Sequence, residues 1–419
     1  LQNGRLATAR EACQMALRHP ESQASARLLQ GVTLERLGRI EAAQTAYFLS
    51  HALDPSDSRP LIGIATIWLQ RGNPRQAEAA FRTLARLGTA PHHAVRGQTE
   101  VLLAQGQTLA AIRYLDSQLD AFPDELDLIS LRGVLAWQVG RPAEAESWFQ
   151  KILDRDPRHL VAKINLGQTQ LAQRKVTQGL ATLKEALAFA PNDPTLLQVY
   201  GTALLRNGQL AQAEPILVRA NEVRPNDPRV TAALSSVYLE SNRPEEARTL
   251  LAQMIELHPR EPHLRSLYGQ TLLRLHRYID AVDQFERAKR LLSSDSSNLN
   301  QVLMQLTLAR QLVQMERRLE GVLAGTIKPS ISETIDLIDL FASTKQKPVE
   351  AAEWAVRFFL ANERHRFSPG QNAYLRAGVL ALQAARATEQ TDPAQSHRWR
   401  RQALSWLDRQ RRQWIEAVS

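Results

Sequence analysis

Residues 194–227 read PTLLQVYGTALLRNGQLAQAEPILVRANEVRPND, and residues 228–261 read PRVTAALSSVYLESNRPEEARTLLAQMIELHPRE. Aligned without a gap, they place Gly201 over Ser235, Gly208 over Asn242, Ala213 over Ala247 and Pro225 over Pro259. The same step of 34 residues carries outward in both directions. Alanine, or once glycine, stands at Ala43, Ala77, Ala111, Ala145, Gly179, Ala213, Ala247 and Ala281. A second small-residue series is Gly31, Ala65, Thr99, Gly133, Gly167, Gly201, Ser235 and Gly269. A third is Gly38, Gly72, Gly106, Gly140, Arg174, Gly208, Asn242 and His276, and a fourth is Pro55, Thr89, Pro123, Pro157, Pro191, Pro225 and Pro259. Four positions sharing one period mean one structural unit copied in tandem.

The residue types say what the unit is. Leu196 to Arg206 and Leu210 to Val223 each carry apolar residues at helical spacing, so a unit is a pair of helices. The residue between them turns the chain in the left-handed region, where glycine has no steric penalty and asparagine a small one. Arg174 and His276 are expected to cost a little stability there. Small residues on both helices let the backbones approach, and proline ends the second helix. In Asn192-Asp193-Pro194 and Asn226-Asp227-Pro228 the aspartate is placed to cap the next helix.

This pattern closely resembles the tetratricopeptide repeat, with Tyr47, Phe81, Phe149 and Phe285 at its large second-helix position. The resemblance implies an all-α fold, a right-handed α-solenoid of helix hairpins. Eight full repeats are expected over 24–295, starting at residues 24, 58, 92, 126, 160, 194, 228 and 262. Gly4 and Ala9 lie one period upstream of Gly38 and Ala43. Residues 1–23 are therefore expected to be a truncated repeat holding only its second helix (5–18), and the chain, which starts on Leu1, a fragment. The polar break around Ser293-Ser294-Asp295 opens a divergent helical region, 296–419, expected to hold divergent repeats or a cap.

The tail carries its own resemblance. Leu319 to Gly325 with Lys328-Pro329, Ala351-Ala352, Tyr374 with Ala377-Gly378 and Leu380-Ala381, then Arg400 to Leu407 and Trp414, look like the extension that follows the repeats of bacterial serine/threonine protein kinases. Ser405 replaces the usual aspartate, and Arg376 and Ala377 depart from the pattern after the tyrosine. The resemblance implies an upstream kinase domain as a covalently linked partner. The chain itself has no phosphate loop, catalytic-loop aspartate or metal-binding aspartate of a kinase, no nucleophile elbow and no zinc helix.

Composition suits a helical array, with 44% hydrophobic and only 6% aromatic residues. The net charge of +9 is diluted by 43 acidic residues interspersed with the basic ones, so nucleic acid is not the expected partner. One cysteine, Cys13, allows no internal disulfide. No apolar run reaches a membrane span, so a membrane partner is not expected and the cytoplasm is the expected compartment. No cofactor, metal or catalytic residue is expected. His92 and His93 adjoin on a helix, where neighbouring side chains diverge by about 100° and do not share a metal unaided. Asp156 and Glu185 fall on unrelated faces. In the last helix Trp399, Ala403, Trp406, Leu407 and Trp414 form one apolar stripe with arginines off it, which reads as a cap; a membrane-surface or nucleic-acid helix is the alternative.

A protein or peptide partner is expected on the inner face, where equivalent first-helix residues line up in rows. At the ninth position stand Gln168, Thr202, Ser236 and Gln270, at the thirteenth Arg206, Glu240 and Arg274, and at the second Thr195, Arg229 and His263. Earlier repeats present Val32, Thr66, Glu100 and Val134, with Trp137 a turn away, making that half more apolar. The same positions also read as ordinary solvated ones. The lysine clamp of chaperone-binding relatives is missing, since Leu28, Ile62, Arg96 and Ser130 hold its first place; of the asparagine ladder of glycosyltransferase-type relatives only Asn165 stands. The expected role is a non-catalytic interaction scaffold. A regulatory or substrate-recruiting region of a larger kinase and a cell-envelope assembly scaffold are the alternatives.

Overall fold

The computed structural model describes residues 22–293, 296–345, 347–361 and 373–418, and every regular element of any length among them is an α-helix. The half repeat expected over 5–18 lies outside the described residues. The chain divides into two compact units, Leu1–Asn207 and Gly208–Ser419. The first holds α1 (Gln23–Arg36), α2 (Ile40–Leu53), α3 (Arg59–Gln70), α4 (Pro74–Leu87), α5 (Pro91–Ala104), α6 (Thr108–Leu119), α7 (Leu126–Gln138), α8 (Pro142–Arg155), α9 (Leu160–Ala172), α10 (Val176–Phe189) and α11 (Pro194–Arg206). The second holds α12 (Leu210–Val223), α13 (Pro228–Glu240), α14 (Pro244–Leu257), α15 (Pro262–Arg274), α16 (Tyr278–Leu291), α17 (Leu299–Leu323), α18 (Ile331–Lys345), α19 (Pro348–Ala361), α20 (Ala373–Thr388) and α21 (Pro393–Val418). Within each unit, successive helices pack as antiparallel hairpins, each on the next.

Every member of the third series turns the chain at positive φ, including Arg174 at 62°, Asn242 at 57° and His276 at 58°. The residue after the turn closes it by donating its N–H to the carbonyl five residues back. Arg39 reaches Leu34, Lys175 reaches Gln170 and Arg277 reaches Leu272, each at 2.9 Å. Arg174→Gly is expected to stabilise the protein by about 0.5–1 kcal/mol, the relief of the left-handed penalty less the entropy glycine adds to the unfolded chain. A thermal melt below the parent's would count against this. At the junctions, Asp193 accepts from the Leu196 N–H at 2.8 Å and Asp227 from the Arg229 N–H at 2.9 Å, so both cap as expected.

The small residues set the spacing within a hairpin. The seven alanines of the first series are 0% exposed, and a Cβ added to Gly179 would come 2.8 Å from the Gly167 carbonyl oxygen. The second series clears room for a large side chain of the partner helix: Gly31 faces the Tyr47 ring, Gly133 faces Phe149, Gly167 faces Leu183 and Gly269 faces Phe285. Gly63 touches Tyr47 from the next hairpin, and Gly97 touches Phe81 in the same way. The large residue therefore locks its own hairpin and the following one.

Polar links run between neighbouring repeats of the first unit. Arg132, only 4% exposed, lies between Asp116 (2.6 Å from its Nε) and Glu144, with the Trp148 ring beneath. Glu146 accepts from Gln173 Nε2 and Lys175 Nζ, each at 2.7 Å. Partial burial alone would raise the Glu144 carboxyl, but the charge and hydrogen bond of Arg132 outweigh it and hold it below the usual range. The Lys175 hydrogen bond does the same for Glu146. Each pair therefore stabilises the fold above the unfolded glutamate value, about 4.3, and that stability is lost as pH falls through the lower folded values. The urea midpoint is expected to fall below about pH 4, with a shallower fall in Glu146→Gln; identical acid profiles for the two proteins would refute the assignment.

In the second unit α18 to α21 build a continuous core that includes Phe341, Phe359, Tyr374, Trp399 and Trp406. The Phe359 ring stacks on Tyr374 at 5.1 Å and tilts against Trp406 at 5.5 Å. Trp399, Ala403 and Trp406 of α21 are buried, and Arg400, Arg401, Arg409, Arg411 and Arg412 are exposed. The Trp414 side chain lies outside the described residues.

Candidate functional site

In the first unit α7, α9 and α11, the first helices of three successive repeats, lie side by side. Their shared face holds a cavity of about 510 Å³. Four residues expected from the row positions line it: Trp137 from α7, Gln168 from α9, and Thr202 and Arg206 from α11. Trp137 is 39% exposed, unlike the tryptophans of the tail core. Arg206 is exposed and forms no ion pair among the described residues. Gln198 donates from Nε2 to Thr202 Oγ1 at 3.3 Å. The apolar floor, formed by Leu171, Ala172, Val176, Val199 and Ala203, was not among the expected residues, nor was Gln198. Gln198 stands at the fifth position of its repeat, a row the sequence reading did not use for the groove.

The other expected residues belong to the second unit, where α13 and α15 lie side by side. Arg229, Glu240, His263 and Arg274 are exposed or half-buried, as are Ser236 and Gln270. Two of them are already engaged. The Ser236 hydroxyl donates to the Ala232 carbonyl at 2.9 Å, and Arg229 Nε lies 3.5 Å from Asp227 Oδ1. Arg274 and Glu240 are exposed and have no ion-pair partner among the described residues. In the earlier repeats, the Thr66 hydroxyl donates to the Ile62 carbonyl at 2.8 Å and Glu100 pairs with Arg96 at 2.9 Å, so both serve their own helix.

Other residue groups singled out from the sequence have local structural roles. The His92 and His93 rings, expected to diverge, lie 4.3 Å apart, tilted by 50°, in the first turn of α5. Burial, and then the neighbouring His92, lower the His93 pKa from the usual imidazole value. Among the described residues no group of three histidine, cysteine or carboxylate side chains is placed to hold a metal ion. Asp156 Oδ1 accepts from the Arg158 N–H at 3.1 Å and Glu185 pairs with Lys163 at 2.9 Å. No helix among the described residues is long and apolar enough to cross a membrane.

A family model described as tetratricopeptide repeat matches residues 136–201, 170–237 and 204–271, and a second with the same description matches 1–58 and 98–159. Over 196 residues the chain is 27% identical to the cellulose synthase operon protein C of Pseudomonas fluorescens (strain SBW25), a match that covers 44% of this chain and 15% of that protein. Over 151 residues it is 30% identical to a TPR repeat-containing protein of Pseudomonas aeruginosa, covering 35% of this chain and 25% of that one. The matches thus span a quarter or less of the length of either relative. Among solved structures, a tetratricopeptide repeat protein from Parabacteroides merdae ATCC 43184 is 15% identical with a TM-score of 0.47, covering 60% of this chain and 98% of its own. A thermophilic TPR protein of Thermus thermophilus is 23% identical with a TM-score of 0.38, covering 44% and 99%. By its repeats this chain belongs to the tetratricopeptide repeat family, whose models together match more than half of its length.

Proposed function

We propose that this chain is a non-catalytic scaffold that docks a peptide or protein partner on the inward face of its first helices. The observation that carries the reading is the cavity between α7, α9 and α11, where an exposed tryptophan, side-chain amides and an arginine with no ion-pair partner among the described residues surround an apolar floor. A rigid stack of hairpins presents these side chains already in place, so little ordering entropy is lost when an extended segment binds. Gln168→Trp combined with Gln270→Trp adds bulk to the face in each unit. This variant is expected to lose the proteins that copurify with the native chain, with stability changed by no more than about 0.5 kcal/mol. Recovery of the same proteins in the same yield would discard the face as the docking surface.

A second reading is an assembly scaffold of the cell envelope, which a signal sequence upstream of the repeats would favour. Copurification of envelope proteins would select it. The tail's resemblance to kinase-linked extensions supports a third, a regulatory region joined to a kinase. An upstream reading frame with a phosphate loop and a catalytic aspartate is its test.

A further inference from the structure

Among the described residues, Arg206 is the only charged one lining the cavity between α7, α9 and α11. Its remaining polar liners include three amides, Gln168, Gln198 and Asn207, and the Thr202 hydroxyl. A guanidinium without a counter-charge at the rim of an apolar cavity favours a carboxylate, which it binds through two parallel charge-assisted hydrogen bonds. The floor favours an alkyl or aryl side chain, and side-chain amides match a peptide backbone because each both donates and accepts. Arg206 follows Thr202 and Ala203 by about one helical turn, roughly 5–6 Å, a span of about two residues of extended peptide. We infer that the cavity reads a short acidic motif: an extended segment with a large apolar residue seated between Leu171 and Ala203 and an aspartate or glutamate within two residues of it, held by Arg206.

This inference rests on the docking reading above and adds the chemistry of the partner. Its test is selection of phage-displayed random dodecapeptides on the full chain and, in parallel, on Arg206→Glu. The native chain should enrich peptides with leucine, isoleucine, methionine or phenylalanine within two residues of an acidic residue. A synthetic peptide from that pool should bind Arg206→Glu at least tenfold more weakly by fluorescence anisotropy and should quench Trp137 emission in the native chain. Trp137→Ala supplies the baseline that separates this signal from the other tryptophans, and a melt of Arg206→Glu matching the parent's excludes unfolding as the cause. Enriched peptides without an acidic residue, or undiminished binding to Arg206→Glu, would overturn the inference and leave the docking face in place. No enrichment at all by the native chain would overturn the docking reading itself.

Discussion

Phe149→Ala should destabilise the first unit by about 3–5 kcal/mol, the range for removing a buried aromatic ring from a core that relaxes only in part. The ring is 1% exposed and rests on the bare backbone of Gly133, which has no side chain of its own to move into the void. It also shares a core with Ala145, Ile152 and Leu166, the last on the first helix of the next repeat. The loss should therefore reach beyond its own hairpin. Hydrogen exchange of the full chain would read this directly: amides of α7, α8 and α9 should exchange faster, while those of α1 and α2 keep their protection. Retained protection in α7 to α9 together with an unchanged melt would show that the ring is not a keystone of this stack.

The opposite error in the same hairpin makes the second prediction. Ala145 is 0% exposed on α8, which packs against α7. Ala145→Phe forces a ring into a space sized for a methyl group and should cost about 1–3 kcal/mol, or more where the helices are driven apart. Ala145→Gly serves as the control, since it removes volume without prying the helices apart. A melt of the phenylalanine variant equal to the parent's would mean that the alanine series does not set the helix spacing.

Much of this architecture was legible in the sequence because the period of 34 residues samples each structural role eight times. One arginine at Arg174 says little about backbone conformation. Its alignment with Gly140 and Gly208 forecast the left-handed turn found at 62°. The aspartate caps and the inward stripe of α21 were legible for the same kind of reason, since spacing alone places them. The buried Arg132 was not. It occupies the position held by Leu166 and Tyr200 one and two periods on, and only coordinates reveal that Asp116 and Glu144 flank it. For the candidate site, the rows named the polar rim, while the apolar floor depends on how far α9 and α11 separate, which periodicity does not encode. In the second unit α17, at 25 residues, is nearly twice as long as the first helices before it, so the step that organises the repeats no longer predicts its neighbours.

Tyr47 between Gly31 and Gly63, and Phe81 against Gly97, bear on how such an array lengthens or shortens over generations. Each ring and the glycine that admits it from the following copy lie on opposite sides of the junction between repeats, at Pro55 in the first case and Thr89 in the second, the seam at which a duplication would naturally be cut. A recombination there separates the two and sets an unmatched side chain against the ring. The portion of gene that transfers without a misfit thus runs from one second helix through the next first helix, out of step with the hairpin that the eye picks out.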